Sequence, residues 1–224
     1  MARVTEIVGC QDPESRARGL ATAHEALQDG DCVVLPTDTV YGIGADAFSS
    51  RAVAVLLAAK GRGRSMPPPV LIGAPEVMDG LAVDVPEEAR ELAAAFWPGA
   101  LTLILTAQPS LAWDLGETRG TVALRMPADD LALELLGRTG PMAVSSANRT
   151  GQAAATTVEQ AHTMLGESVR VYLDDGDRST VRPSTIVDCT VTPSRVVRDG
   201  AISLAELQAV VPAVLGTDAE EDSA

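Results

Sequence analysis

The spacing of hydrophobic and polar positions changes several times along this chain, and the order of the changes predicts a mixed α/β protein. Asp12, Pro13 and Glu14 supply an N-cap, a first-turn proline and a first-turn acid for a helix running to about residue 30. The apolar run Cys32-Val33-Val34-Leu35 stops at Pro36 and reads as a buried strand. An alanine-rich stretch over 51–59 reads as a helix closed by Gly61. Further strands are predicted over 70–72, 101–105, 121–126, 141–145, 169–173, 185–188 and 195–198. Helices are predicted over 86–97 and 129–138, and Thr157-Val158-Glu159-Gln160 and Ser203-Leu204-Ala205-Glu206 fit capping boxes opening two more.

Short strands separated by both helices and hairpin-length turns favour one mixed sheet over a purely parallel one. Neither a repeat nor a linker interrupts the pattern. The expected organisation is one α/β domain over 1–212 and an acidic, disordered tail over 213–224.

Composition sharpens this picture. Hydrophobic residues make up 46% of the 224, enough for a sizeable core, but aromatics only 3%, so Val, Leu, Ile and Ala must build it. Three widely spaced cysteines (Cys10, Cys32, Cys189) give no disulfide framework and suit a reducing compartment. The N-terminus lacks the apolar stretch of a signal peptide, and no apolar run approaches the roughly 20 residues of a membrane span. A soluble, cytoplasmic protein without membrane contact is the expectation. Net charge is −14, or −10 once the four carboxylates among residues 217–224 are set aside. So acidic a body repels a nucleic-acid backbone, and direct tRNA binding should be weak or absent. Any anion bound should be small and held in a local cationic pocket.

Gly42-Ile43-Gly44-Ala45-Asp46-Ala47 matches GxGxxA after a strand, as a dinucleotide site would. No second strand ending in an acid follows about 20 residues on, so the context argues against that reading. No segment reads GxxxxGK[ST]. His24 and His162 lie in helical patterns without acidic or Cys partners at ligand spacing, so no protein-ligated metal site is expected.

The segment Lys60-Gly61-Arg62-Gly63-Arg64 stands out. It holds three of the seventeen Lys and Arg residues, and Lys60 is the only lysine. An ammonium is a compact point charge, whereas a guanidinium is a planar fork. In an extended loop Lys60 and Arg62 would point the same way, flanked by glycines that permit close approach to a ligand. A phosphate-bearing substrate such as ATP suits this segment, although a solvated surface loop fits the same residues. The hydroxyl of Ser146 and the amide of Asn148 share the two-residue spacing and could project together from a strand end.

Taken together, these segments resemble the YrdC/TsaC family of L-threonylcarbamoyladenylate synthases over about residues 13–203. In family order they are Pro36 through Gly44, Lys60-Gly61-Arg62, Trp97 through Leu103, Val122 through Pro127, Ser146-Ala147-Asn148, Ser184 through Asp188 and Val197 through Ile202. The resemblance implies the short single-domain form: a twisted, open mixed sheet with flanking helices and a positively lined concave cleft. It also implies that ATP, L-threonine and bicarbonate are converted to threonylcarbamoyl-AMP and pyrophosphate, for use by partner proteins in tRNA threonylcarbamoyladenosine (t6A) modification. By matching position, Lys60, Arg62, Ser146 and Asn148 would be catalytic. These four with Thr121 and Arg198 would hold ATP; Thr39, Arg125 and Ser184 would hold threonine, and Mg2+ would arrive with the nucleotide. The chain departs from the family pattern at Gly63, Met66, Leu71 and Ala154, where a proline, an asparagine, a histidine and a serine are usual. The departures leave room for a paralogue acting on another carbamoyl or carboxylated substrate. An RNA-binding module is the alternative from outside the enzymes.

Overall fold

The structure, a computed structural model, describes residues 4–178 and 182–217. Its helices are α1 (Pro13–Gln28), α2 (Ser50–Lys60), α3 (Val77–Leu81), α4 (Glu87–Phe96), α5 (Asp130–Thr139), α6 (Val158–Leu165) and α7 (Leu204–Val210). The strands are β1 (Glu6–Gly9), β2 (Val33–Leu35), β3 (Gly42–Asp46), β4 (Val70–Leu71), β5 (Leu101–Thr106), β6 (Thr121–Arg125), β7 (Met142–Ser146), β8 (Val171–Asp174), β9 (Thr185–Asp188) and β10 (Arg195–Arg198). They form one mixed sheet in the order β1-β8-β2-β3-β7-β4-β6-β5-β9-β10.

Local chemistry marks several helix ends where the sequence placed them, whereas the short α3 was not predicted and has no side-chain cap. Asp12 accepts from the backbone N–H groups of Glu14 and Ser15, with Pro13 as the first helical residue. Gly61 closes α2 in the left-handed conformation at φ 62°. Ser203 and Glu206 complete a reciprocal capping box. The box expected at Thr157 forms only in half: Thr157 caps Gln160, but the Gln160 side chain turns to Thr156.

Two segments carry strands the pattern did not show. Glu6–Gly9 is a short edge strand paired with β8. The GxGxxA stretch is no phosphate turn, because Gly42–Asp46 is itself a strand, antiparallel to both β2 and β7. Its glycines serve packing: a Cβ on Gly42 would lie 2.7 Å from Val144 Cγ1, and one on Gly44 2.6 Å from Met142 Cε.

The period-two alternation gives the sheet two different faces. One packs Ile43, Leu103, Leu124 and Val187 against α2, α4, α6 and α7. On the other, α1 and α5 bury Val33, Leu35, Leu71, Val144 and Leu173. Those two helices cover that face only from β1 as far as β4 in the sheet order. Over β6, β5 and β9 it stays uncovered, and the alternation presents Thr102, Ile104, Ala123, Arg125 and Ile186 to a cavity. The folded body continues past residue 212, with Val214 buried and Leu215 bridged to Arg195. The tail carboxylates from Asp218 onward lie outside the described residues.

Candidate functional site

The cavity on the uncovered sheet face has a volume of about 480 Å3, within the range of small-molecule sites. Of the residues singled out in the sequence, Thr39, Arg62, Thr121, Arg125, Ser146, Ser184 and Arg198 lie on its wall. Lys60 and Asn148 do not.

The four residues of the two motifs therefore divide. Lys60 is not in an extended loop beside Arg62; it is the last residue of α2 and only 1% exposed. Its Nζ donates to the Ser146 carbonyl, to the Asn148 carbonyl at 2.8 Å and to Asn148 Oδ1 at 3.4 Å. Asn148 spends its amide on the carbonyls of Arg149 and Gln152. The two together hold the turn after β7 from behind. Arg62 and Ser146 face the cavity in front of it, and the Ser146 hydroxyl has no protein partner among the described residues. Burial, then the charge of Arg62, lowers the Lys60 pKa from 10.5 to about 8.

Two glycine-bearing loops set the far wall. Gly99 approaches too closely for any side chain, since a Cβ there would lie 2.4 Å from the Phe96 carbonyl. Its own carbonyl accepts from Arg125 Nε at 3.0 Å. Arg125 also donates to Thr39 Oγ1 at 3.2 Å and to Asp38 Oδ1 at 2.6 Å. Gly200 packs against the backbone of residues 183–185, where a Cβ would meet Thr185 N at 2.3 Å. That closeness lets Arg198 reach the Ser184 carbonyl at 2.7 Å and its hydroxyl at 2.9 Å. The buried hydroxyl of Thr102 lies 2.8 Å from Ser184 Oγ.

Arg62, Arg125 and Arg198 thus converge on one space, and no carboxylate lines it among the described residues. Burial lowers the pKa of all three, and Arg198 is lowered further by Arg125 and Arg62. Guanidiniums crowded into a carboxylate-free cavity favour an anionic ligand. Among the described residues the Arg62 side chain makes one hydrogen bond, to Ser145 Oγ at 3.3 Å, and its buried Nε has no partner. Thr121, whose hydroxyl donates to the Thr118 carbonyl, lies on the wall near Leu115 and Pro67–Pro69.

Asp38, Thr37, Thr102 and Ser145 escaped the sequence reading. Asp38 was legible only as one letter of the Pro36–Thr39 segment, because its partner lies 87 residues away. Among the positions that depart from the family pattern, Leu71 and Ala154 line the cavity, whereas Met66 is 46% exposed and off the wall. His24 and His162 take no part, and no group of three or more metal-ligating side chains occurs among the described residues. No helix of the described residues is long and apolar enough to cross a membrane.

The Sua5/YciO/YrdC family, described as "Telomere recombination", matches residues 25–200. A provisionally named threonylcarbamoyl-AMP synthase of Mycobacterium leprae is 55% identical over 218 residues, covering 96% of this chain and 99% of the relative. The threonylcarbamoyl-AMP synthase of Bacillus subtilis is 36% identical over 211 residues, covering 93% of this chain and 59% of its own. The crystal structure of Pyrococcus abyssi Sua5 complexed with L-threonine superposes with a TM-score of 0.90 at 31% identity, covering 98% of this chain and 66% of that one. This chain belongs to the Sua5/YciO/YrdC family.

Proposed function

We infer that this family member is an L-threonylcarbamoyladenylate synthase, an adenylyl-transferring enzyme whose product feeds t6A modification of tRNA. The observation that carries the reading is the convergence of Arg62, Arg125 and Arg198 on one cavity, with Arg125 alone paired to a carboxylate. The relatives named above as threonylcarbamoyl-AMP synthases, and the Sua5 complex with L-threonine, support the choice of substrates.

The reaction joins three substrates. The amino nitrogen of L-threonine takes up the carbon of bicarbonate, with loss of water, to give N-carboxythreonine. An oxygen of that carbamate then bonds to the α-phosphorus of ATP as the bond to the β-phosphate oxygen breaks. Negative charge grows on the leaving pyrophosphate, so preorganised cations next to it lower the barrier. Arg62 and Arg198, which form no ion pair among the described residues, take that part. Arg125, with Thr39 and Ser184 beside it, receives the threonine carboxylate through its remaining N–H groups. Lys60 and Asn148 act from behind the wall, fixing the turn that presents Ser146. Thr121 and the apolar wall around Leu115 and Pro67–Pro69 receive the nucleoside.

Mg2+ would arrive with the nucleotide. Among the described residues the wall offers hydroxyls and no carboxylates, which suits a cation carried mainly by phosphate oxygens and water, and Ser146 Oγ would be a protein oxygen able to hold it. Bound there, it supplies neutralising charge at the phosphates. Downstream proteins of tRNA modification complete the partners, and the net charge of −14 argues against tight direct tRNA binding. Pyrophosphate release that depends jointly on ATP, L-threonine and bicarbonate tests the reading; release indifferent to threonine would count against it.

A further inference from the structure

Arg125 differs from the other two cavity guanidiniums in its charge balance. It forms an ion pair with Asp38 at 2.6 Å, the two side chains being 8% and 16% exposed. Asp38 Oδ1 is fixed in turn by the backbone N–H of Ala128 at 3.0 Å. Arg62 and Arg198 form no ion pair among the described residues, and their hydrogen bonds go to the neutral oxygens of Ser145 and Ser184. The cavity is therefore electrically lopsided. One guanidinium has its charge cancelled by Asp38, and the other two have no counterion among the described residues.

That asymmetry matters to an enzyme that must hold two anionic groups at once. A polyphosphate gains most where cations are uncompensated, because Coulomb energy scales with the product of the charges. An amino acid is a zwitterion and needs a donor fork for its carboxylate more than it needs net positive potential. Were Arg125 uncompensated, the cavity would present three cations without counterions and phosphate oxygens could settle on any of them.

We propose that Asp38 is a specificity-determining residue: by neutralising Arg125 it reserves that guanidinium for an amino-acid carboxylate and directs phosphates to Arg62 and Arg198. Asp38 is not on the cavity wall and acts through Arg125. The proposal rests on the synthase reading, which places both ligands in this cavity.

Titration calorimetry on the full chain tests it, using L-threonine and inorganic pyrophosphate, each alone and in the presence of the other. In the wild type the two ligands bind together, and neither displaces the other. Asp38→Asn keeps an oxygen for Ala128 but removes the charge. Pyrophosphate should then bind about tenfold more tightly and displace threonine. Asp38→Glu restores the charge and should restore simultaneous binding. A purely structural role would weaken both ligands without creating competition, and that pattern overturns the proposal. So does an Asn variant that matches the wild type, or a wild type in which the ligands already compete. If the Asn variant does not fold, Asp38→Ser, which also removes the charge, takes its place and is read by the same competition. A wild type that binds pyrophosphate but no threonine removes the synthase reading, and the proposal with it. Threonine binding with no change in Asp38→Asn removes the proposal alone.

Discussion

The Lys60 ammonium lies 2.8 Å from the main-chain oxygen of Asn148 and is 1% exposed, so the chain's only lysine serves the wall of the cavity from behind. A cation at the end of α2 is spent on the turn that follows β7. A guanidinium could not take its place, because three carbonyl oxygens converge on one point inside a closed space.

Lys60→Met should therefore abolish turnover and also destabilise the fold by about 1–3 kcal/mol, the cost of leaving buried carbonyls unpaired. Lys60→Arg should recover neither property. The sequence alone, placing Lys60 in a loop, predicts loss of activity with no loss of stability. Thermal unfolding of the variants separates the two expectations.

Lys60 also sets a pH dependence. Burial and Arg62 hold its pKa near 8, while the carbonyls around it require the charged form. Activity should fall on the alkaline side with a midpoint near pH 8 in kcat/KM. The stability effect has the opposite sign. The unfolded lysine keeps its proton to about 10.5 and the folded one to about 8, so the Lys60 contribution to stability rises between those values. A wild type and Lys60→Met pair whose stability difference is flat across that window would contradict the assignment.

Buried thiols act against the fold at higher pH. Desolvation pushes Cys10 and Cys189 up to about 11 and Cys32 up to about 12, from 9.0. Unfolded thiols ionise first, so stability should decline as pH rises past about 9. Cys32→Ala should flatten that decline in denaturant titrations run at a series of pH values.

The arginines should separate by ligand. Arg62→Ala and Arg198→Ala should raise KM for ATP, whereas Arg125→Lys should raise KM for threonine, since an ammonium loses the fork held by Gly99, Thr39 and Asp38. Losses of about tenfold or more are expected for each. An Arg125→Lys enzyme impaired only toward ATP would contradict the assignment of Arg125 to threonine.

Leu71 stands beside Arg125 in the β4–β6 register and makes that part of the wall apolar. Threonine should still be preferred over valine, because the wall hydroxyls of Thr39 and Ser184 can hydrogen-bond a substrate hydroxyl and gain nothing from a methyl. An amino-acid screen that ranks valine equal to threonine would favour a different substrate.

Much of the architecture was legible because it rests on local signals. Asp12-Pro13, Gly61 and Ser203 mark helix ends wherever they occur, and the alternation in 101–105 and 121–126 fixes the two faces of β5 and β6. Gly42–Asp46 was not legible as a strand, because its glycines answer to Val144 and Met142 about a hundred residues later. Site residues followed the same rule. Arg62, Arg125 and Arg198 could be picked out one by one, but which of them is neutralised depends on Asp38, a contact that closes only when the sheet forms. The two-residue spacing of Lys60 and Arg62 suggested two parallel side chains. The extra helical residue and the left-handed Gly61 send them to different places.

The most direct test of the central claim supplies ATP, L-threonine and heavy-carbon bicarbonate to the purified chain and reads the nucleotide products by mass spectrometry. The account predicts a threonylcarbamoyl-AMP carrying one heavy carbon, formed in step with pyrophosphate and absent when threonine is omitted. Pyrophosphate formed without threonine, or an AMP adduct lacking the heavy carbon, would contradict it.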